Sequence, residues 1–443
     1  MIRRLRLAGR LVWVIGAFWI AIAPIASAKD VGSLPASTVL PQRLDLDTSL
    51  QLFRTHGLDL IIADASVQSA EGSRKIAGAV ANPVFAAGVG TAFGPLASSS
   101  SPAFSGQVSD SAAIADVFVG KRRLRVGVAD RALEAARLDR QDAQRTLEAQ
   151  VKNQFLQAAL AKSLLVVTRE ARDTSAATLD VMQKRYNAGA ISEADLLRVQ
   201  TEKLQADDAV NGSERDLRDA KIALAYLLGV RDLVPEFEID ETLLDRRIGP
   251  SIDGLDRGGA LREALARRPD LASARRRADA ARVSVELARR TRFPDLSLWA
   301  SYASQGFGAT ASQPPTVMLG VSSALPVFYQ NQGEITQAQA DVRAGTASAA
   351  KLEAQVVSEV ETATSTLRTA KIRLERMDTS LLSSARRARD LVAALYEKGA
   401  ASLLEMLDSQ RTFLATNAAH VQASGEYWAA VFGLEQAVGR ELH

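Results

Sequence analysis

The sequence predicts a mainly α-helical chain made of two internal repeats, each carrying one β-hairpin suited to a membrane. A helix–turn–helix segment at Lys184–Gln200 recurs at Leu395–Gln410, with matching residues 210 positions apart. Two stretches of roughly 65 residues contain almost no helix breaker and predict helices of roughly 100 Å, since α-helices rise about 1.5 Å per residue. Two pairs of short stretches alternate in hydrophobicity, as β-strands do. The constant offset indicates an internal duplication.

Residues 1–28 predict a secretory signal peptide. Four arginines precede an apolar run from Leu11 to Ile22, and small residues that end at Ala28 form a cleavage site. We therefore expect the mature chain to begin at Lys29 and to continue through a linker over 29–43. A membrane-anchoring helix is the alternative, which the short apolar run and the proline after it disfavour.

The composition excludes several classes of function. Without the four arginines of the leader, 50 basic residues face 51 acidic ones, whereas nucleic-acid binding needs a persistent basic face. The chain has no cysteine, which excludes a disulfide framework and a lipid on an N-terminal cysteine. The three histidines His56, His420 and His443 are far apart in the sequence. We therefore expect no enzyme activity, no metal site and no cofactor.

The first repeat is predicted over residues 44–230. Helical periodicity gives way to alternation after Asn82-Pro83, because proline disfavours the helical conformation of the residue before it. In order, the predicted elements are a helix over Leu44–Ala79, a hairpin over 83–118, a long helix over 121–188 and a return helix over 192–229. The long helix has a narrow, alanine-rich apolar seam with heptad spacing, which is typical of coiled coils.

The same order of elements is predicted again over residues 260–443, in a second repeat that follows an inter-repeat equatorial segment over 231–259. Its first helix is interrupted at Arg268-Pro269-Asp270 and ends at Phe293-Pro294. The elements that follow are a hairpin over 294–328, a long helix over 331–398 and a return helix over 402–439.

Both helix reversals carry the same stop and start signals. A glycine supplies the left-handed conformation that ends the incoming helix, and a serine three residues later caps the outgoing one. An acidic residue three positions after the serine completes a capping box, as Asp195 or Glu405. The matching residues are Tyr186, Gly189 and Ser192 in the first turn, and Tyr396, Gly399 and Ser402 in the second.

Four strands cannot close a barrel, and a membrane does not tolerate open sheet edges. If the strands cross a membrane, several chains must share one barrel: two would give eight strands, and three would give twelve and leave a channel. A soluble sheet is the alternative. The long helices, apolar along one seam only, suit a tube that encloses water or a fibrous coiled coil. The fibrous coiled coil leaves the hairpins unexplained.

The arrangement and several short motifs resemble the TolC family of outer-membrane efflux ducts. Those motifs are Asn82-Pro83, Gly120-Lys121-Arg122, Arg267-Arg268-Pro269-Asp270-Leu271, Phe293-Pro294-Asp295-Leu296, Pro326-Val327-Phe328 with Asn331-Gln332-Gly333, and both turns. The resemblance covers nearly the whole mature chain and is strongest to the heavy-metal branch typified by CzcC. It implies a homotrimer with a twelve-stranded barrel in outer-membrane lipid and a trimeric α-barrel tunnel across the periplasm of a Gram-negative bacterium. It also implies that the turn tips dock to a periplasmic adaptor, or membrane fusion protein, and serve an inner-membrane pump of the RND type.

Glu405 and Asp408 are the candidate acidic gate. They share one helix face, and the resemblance implies that three copies form a ring that attracts cations. The alternative is that Glu405 only completes the capping box with Ser402, whereas Asp408 has no capping duty. For Asp195 we expect the cap alone.

A basic run opens the first long helix, where the helix dipole disfavours cations. It comprises Lys121, Arg122, Arg123 and Arg125. An anionic neighbour, such as lipid headgroups or carboxylates of the next chain, would offset that cost, and a solvated run is the alternative.

The sequence thus predicts a passive duct of a tripartite efflux system, with heavy-metal cations as the expected cargo. A duct for drugs or for secreted proteins is one alternative. A periplasmic coiled-coil scaffold without a barrel is the other, and membrane fractionation would separate it from a duct.

Overall fold

A computed structural model describes residues 34–90, 103–246, 257–305 and 313–441. The predicted leader, the cleavage site between Ala28 and Lys29, and His443 lie outside these residues. All helices and strands belong to one unit that begins at Thr38. None of the described helices combines the length and the apolar composition that a membrane-spanning helix needs.

The described chain is mostly helical, as predicted, and contains six strands of which four form one sheet. In order, the elements are β1 (Arg43–Leu44), α1 (Leu46–His56), α2 (Leu58–Gly78), β2 (Val84–Gly90), β3 (Ala103–Ser109), α3 (Ala113–Phe118), α4 (Lys121–Asn187), α5 (Glu193–Leu227), β4 (Glu238–Ile239), a 3₁₀ turn (Thr242–Asp245), α6 (Arg257–Arg267), α7 (Pro269–Arg290), β5 (Leu296–Gln305), β6 (Gln313–Ser323), α8 (Gln332–Arg376), a π turn (Met377–Leu381), α9 (Leu382–Glu397) and α10 (Leu403–Val438).

The two long helices begin alike but differ in their C-terminal halves. Gly120 and Asn331 precede them, 211 positions apart, and both have the left-handed backbone, with φ of 80° and 58°. The first helix, α4, runs for 67 residues without interruption. The second is divided into α8 and α9 by a π turn, a local widening of the helix that often marks functional sites.

The prediction of a single helix over Leu44–Ala79 is wrong, because the chain forms two helices there, α1 and α2, which are divided at Gly57. The backbone of Gly57 is extended, with φ −61° and ψ 117°, and its N–H bonds back to the carbonyl oxygen of Phe53 at 2.8 Å. A Cβ at this position would lie 2.7 Å from the Phe53 ring. The glycine therefore permits a close turn between α1 and α2.

Two predicted strands are too long. The strand expected to reach Phe118 ends at Ser109, and residues Ala113–Phe118 form the helix α3. Ser111 and Ala112 have positive φ, and the Asp110 carboxylate accepts hydrogen bonds from the N–H groups of Ala112 and Ile114. That local capping starts a helix where valine and phenylalanine alone suggested a strand. The strand expected to reach Phe328 ends at Ser323.

The four strands form an antiparallel sheet in the order β2-β3-β5-β6. Their register places the predicted apolar positions on one face. This face carries Phe85, Val89, Phe104, Val108, Leu296, Leu298, Tyr302, Val317, Leu319 and Val321. The opposite face carries mostly small and polar residues, including Ser105, Gln107, Ser109, Ser297, Ser301 and Ser322, together with Val84, Trp299 and Met318. None of the residues in these four strands is charged.

The helices pack around two apolar cores. The larger core joins α1, the β1–β4 pair and the 3₁₀ turn to the middle of α4 and to the C-terminal halves of α8 and α10, around Phe53, Phe155 and Phe432. The smaller core lies where the two helix reversals meet. On the side of the larger core that faces the sheet, α4 packs against α2 and α7. On the side that faces the two turns, α4 packs against α5 and α10. The chain thus carries the sheet at one end and both turns at the other.

Candidate functional site

The two helix reversals have the same backbone hydrogen bonds. In the first turn, Gly189 donates to the carbonyl of Tyr186 and Ala190 to that of Arg185, both at 2.8 Å. In the second, Gly399 donates to the carbonyl of Tyr396 at 3.0 Å and Ala400 to that of Leu395 at 2.8 Å. This pair of bonds defines a Schellman stop. Gly189 and Gly399 have φ of 71° and 72°, so the predicted left-handed stops are confirmed.

The capping serines are also confirmed, but only the second turn forms a complete capping box. Ser402 accepts from the backbone N–H of Glu405 at 3.2 Å, and its own N–H donates to the Glu405 carboxylate at 2.7 Å. In the first turn, Ser192 accepts from the N–H of Asp195 at 3.2 Å, and the Asp195 carboxylate accepts from the serine hydroxyl at 2.8 Å. The expected Asp variant of the box is thus half formed, because the aspartate is one methylene shorter.

The candidate gate residues Glu405 and Asp408 are both exposed at the start of α10. Hydrogen bonds from the backbone N–H and the hydroxyl of Ser402 hold the pKa of Glu405 below its ordinary value. The carboxylate is therefore ionised at neutral pH while it serves the cap. Asp408 lies one turn further along the same helix face.

The two turns are fastened to each other by an apolar cluster and a polar contact. Met182, Leu196, Val199 and Leu407 are buried together. Beside them, the Arg185 guanidinium donates to the hydroxyl of Tyr396 at 2.9 Å and lies 5.0 Å from the centre of its ring. The sequence placed these residues in matching turns, yet it did not show that the turns touch.

The predicted anionic neighbours of the basic run are found within the chain itself. Lys121 donates to the Asp295 carboxylate and to the Phe293 carbonyl, both at 2.7 Å. Arg125 forms two hydrogen bonds with the Asp116 carboxylate, at 2.8 and 2.6 Å. For these two residues the anionic neighbour that the sequence suggested is thus a carboxylate of the same chain. They fasten the N-terminus of α4 to the base of the sheet.

Other parts of the run are arranged differently. Arg122 donates to the carbonyl of Gly78 at 2.8 Å, at the end of α2, and Arg123 is exposed. Lys121, Arg122 and Arg125 thus each contact a different element around the start of α4. The N-terminus of α4 lies where helices and sheet meet. The nearby carboxylates and carbonyl oxygens offset the unfavourable interaction between the cations and the helix dipole.

The sequence did not show the part that Arg268 plays. It lies between the end of α10 and the start of α7 and is only 4% exposed. Its guanidinium pairs with Asp270 at 2.6 Å and with Glu359 of α8, and it donates to the Ala437 carbonyl at 3.3 Å. Burial raises the pKa of Asp270, but the hydrogen bonds and charge of Arg268 outweigh it and hold that pKa below its ordinary value.

The histidines offer no common site in the described part of the chain. His56 contacts Thr55 at 2.7 Å, and His420 contacts the carboxylate of Asp378, a residue of the π turn, at 2.6 Å. Among the described residues, no group of three or more His, Asp or Glu side chains is placed to hold a metal ion.

Comparison with known proteins agrees with this geometry. The family described as "Outer membrane efflux protein" matches residues 50–230 and 260–440. The pyoverdine export outer membrane protein OpmQ of Pseudomonas aeruginosa is 28% identical over 89% of this chain and 85% of its own. The cobalt-zinc-cadmium resistance protein CzcC of Cupriavidus metallidurans is 24% identical over 72% of this chain and 74% of its own.

Solved structures show the same fold. The outer-membrane channel OprN superposes with a TM-score of 0.76 at 22% identity, over 90% of each chain. The outer membrane protein VceC of Vibrio cholerae superposes with a TM-score of 0.72 at 20% identity, over 90% of this chain and 97% of its own. The chain therefore belongs to the outer membrane efflux protein family, as a passive channel of the Gram-negative outer membrane that extends into the periplasm.

Proposed function

We propose that three copies of the chain close their sheets into one twelve-stranded barrel and their helices into a tunnel, forming the outer duct of a tripartite efflux complex. The observation that carries this proposal is the four-stranded sheet. Its apolar face suits lipid and its other face, mostly small and polar, suits water, while the edges β2 and β6 have one described partner each. A lipid-embedded sheet needs both edges paired, and pairing β6 of one copy with β2 of the next does this.

For the turns we propose docking to a periplasmic adaptor, which connects the duct to an inner-membrane pump of the RND type. Both turns lie at the end of the chain away from the sheet, and their backbone is fixed by the same stops and caps. Gly189, Ser192 and Gly399 are exposed there. A rigid, exposed pair of turns is suited to recognition by another protein.

For the cargo we propose heavy-metal cations, which reach the duct from the pump. The exposed Glu405 and Asp408 would favour cations where three copies meet. The uncharged strands would let a cation pass without holding it. The similarity to CzcC, a cobalt-zinc-cadmium resistance protein, points to the same cargo.

A second candidate cargo is a siderophore, because the match to the pyoverdine export protein OpmQ is longer and higher in identity than the match to CzcC. A wide aqueous duct need not recognise its cargo itself. The partner pump would then determine which of the two is exported.

Deletion of the gene distinguishes the two cargoes. We expect cells without the chain to accumulate zinc, cobalt or cadmium and to lose metal tolerance, and the wild-type gene to restore both. Unchanged tolerance together with less siderophore in the medium would favour the second candidate. If neither quantity changes, both cargo assignments are wrong.

Docking is tested with the purified periplasmic adaptor whose gene lies nearest to the gene of this chain. A photo-crosslinker is attached to a single cysteine introduced into the chain. Lys398→Cys lies at the second turn, and Lys351→Cys, on the exposed upper part of α8, is the matched control. We expect adaptor adducts only from position 398. Equal adducts from both positions would contradict docking at the turns.

A further inference from the structure

The sheet carries one large aromatic residue, Trp299, on its mostly small and polar face. Its neighbours along the strand on that face, Ser297 and Ser301, are small, and so are the residues directly opposite it, Ser109 of β3 and Gly320 of β6. No described strand residue of this face has a larger side chain. In the proposed duct this face lines the lumen, so three copies place three indoles at one level of it.

The indole of Trp299 leans across the strand pair and covers Gly320. A Cβ at Gly320 would lie 2.5 Å from Cε2 of the indole and 3.0 Å from its Nε1. Since no side chain fits at such distances, the ring occupies space that only a glycine leaves free. A glycine inside a strand often marks a close approach of this kind, and an aromatic ring laid over it stabilises the strand pair.

The first repeat has a different pair at the matching position. Gly88 precedes Trp299 by 211 positions, the offset that also separates Pro83 from Pro294. The residue opposite Gly88 is Ser105, and a Cβ at Gly88 would meet only the hydroxyl of this serine, at 3.2 Å. Both cross-strand pairs thus contain a glycine, but only the glycine of the second repeat makes room for a ring.

We infer that Trp299 and Gly320 together set the clear width of the barrel near its base, and so the size of the cargo that passes. While the ring lies over Gly320 it forms part of the wall, and the lumen stays open. A side chain at position 320 would displace the indole toward the water-filled interior, because the sheet itself closes the opposite side. This inference rests on the proposed three-copy duct and adds to it the residue pair that limits size.

Thiol labelling measures this width, since the chain has no cysteine of its own. Ser322→Cys places one exposed thiol on the same face of β6, two residues beyond Gly320 on the side of the helices. A reagent that enters from the hairpin end must pass the level of Trp299 to reach this thiol. Maleimides joined to polyethylene glycols of graded mass are added to intact cells, and labelled chains are separated on a denaturing gel.

In the Ser322→Cys background, Gly320→Val should lower the mass of the largest polymer that labels the chain. Valine suits a strand but takes the place of the ring, and the smallest maleimide should still label this variant fully. Trp299→Ser/Gly320→Val should restore the wild-type limit, because the valine remains while the ring is gone. Gly88→Val is the matched control, since it adds the same side chain with no ring to displace, and it should keep the wild-type limit.

Fluorescence locates the ring independently of the labelling. Trp13 and Trp19 belong to the predicted leader, so Trp428→Phe leaves Trp299 as the only tryptophan of the mature chain. In this background, Gly320→Val should shift the emission to longer wavelength and increase its quenching by acrylamide, because the indole moves from the sheet into water. Brominated lipids, which quench tryptophans in contact with the bilayer, should leave the emission unchanged with either residue at position 320.

The outcomes separate the residue pair from the duct. An unchanged size limit in Gly320→Val, or a limit that stays low once Trp299 is also replaced, would overturn the inference even if native mass shows a trimer. Quenching by brominated lipids would overturn it as well. If Gly320→Val does not assemble, Trp299→Ser alone decides, since it should admit a larger polymer than the wild type, and an unchanged limit would contradict the inference. A native mass of one chain would instead overturn the proposed duct.

Discussion

The side chain of Arg268 donates a hydrogen bond to the carbonyl oxygen of Ala437 at 3.3 Å, and so joins the last turn of α10 to the first turn of α7. The carbonyl groups at a helix C-terminus lack internal partners and carry partial negative charge. A buried cation at this point satisfies one of them. The paired carboxylates of Asp270 and Glu359 extend the contact to α8.

We expect Arg268→Ala to destabilise the chain by about 3 kcal/mol, because it removes one side of a buried ion-pair network. Thermal unfolding in detergent measures the effect. Arg277→Ala is the matched control, since its ion pair with Asp139 is exposed and should contribute less than about 1 kcal/mol. Equal effects of the two substitutions would contradict the assigned role.

Lys152 and Glu435 form a second buried pair, at 2.7 Å, with both side chains 5% exposed. Lys152→Met removes the cation that faces Glu435 and should cost about 3 kcal/mol. Lys152→Met/Glu435→Leu should recover a large part of this loss, since no charge then remains to be desolvated. A double variant that is no more stable than the single one would contradict this expectation.

The turn glycines should resist substitution by alanine even though the space beside them is empty. A Cβ at Gly399 would meet nothing within 4 Å, yet φ there is +72°, so Gly399→Ala should cost about 1 kcal/mol. Gly433 lies inside α10, near its C-terminal end, also beside empty space. Gly433→Ala should therefore stabilise by about 0.5 to 1 kcal/mol. We expect Gly399→Ala to lower the thermal unfolding midpoint and Gly433→Ala to raise it.

Acid should weaken the junction around Arg268. The pKa of Asp270 is lower in the fold than in the unfolded chain. Its stabilising contribution is therefore complete above the unfolded value of about 4 and is lost as the pH falls through the folded value. Asp270→Asn should reduce stability at pH 7 and flatten the decline between pH 5 and pH 2. An unchanged slope would indicate that other carboxylates control it.

The charge of the second turn should set ion preference in planar bilayers. Glu405→Gln retains an acceptor for the cap, and Asp408→Asn changes a residue without capping duty, so the double variant tests charge separately from folding. We expect lower cation preference with the assembly intact. Asp195→Asn, in the first turn, is the matched control and should preserve the selectivity. Wild-type selectivity in the double variant would leave Glu405 with its capping role alone.

The sequence predicts the repeated features of this fold well because the duplication supports each of them twice. The glycine stops, serine caps and long helices follow from short-range rules, and the register confirms the apolar sides of the strands. The break at Gly57 was missed because a glycine inside an apolar helical pattern is often tolerated. Only the Phe53 ring pressed against it shows why the chain must turn there.

Long-range pairing accounts for most of what the sequence left open. The basic run suggested an anionic neighbour, but Asp295 is 174 positions away from Lys121, and nothing in the sequence brings them together. Arg268 was recognised only as part of a motif, and its burial depends on α8 and α10. The pairing of Arg185 with Tyr396 likewise needed the two turns in contact.

The measurement that tests the account most directly is the native mass of the purified protein in mild detergent. A sheet with four strands, one apolar face and two edges left for other chains requires further copies, so we expect a single species of three chains. A stable, monodisperse monomer under the same conditions would contradict the shared barrel and, with it, the duct.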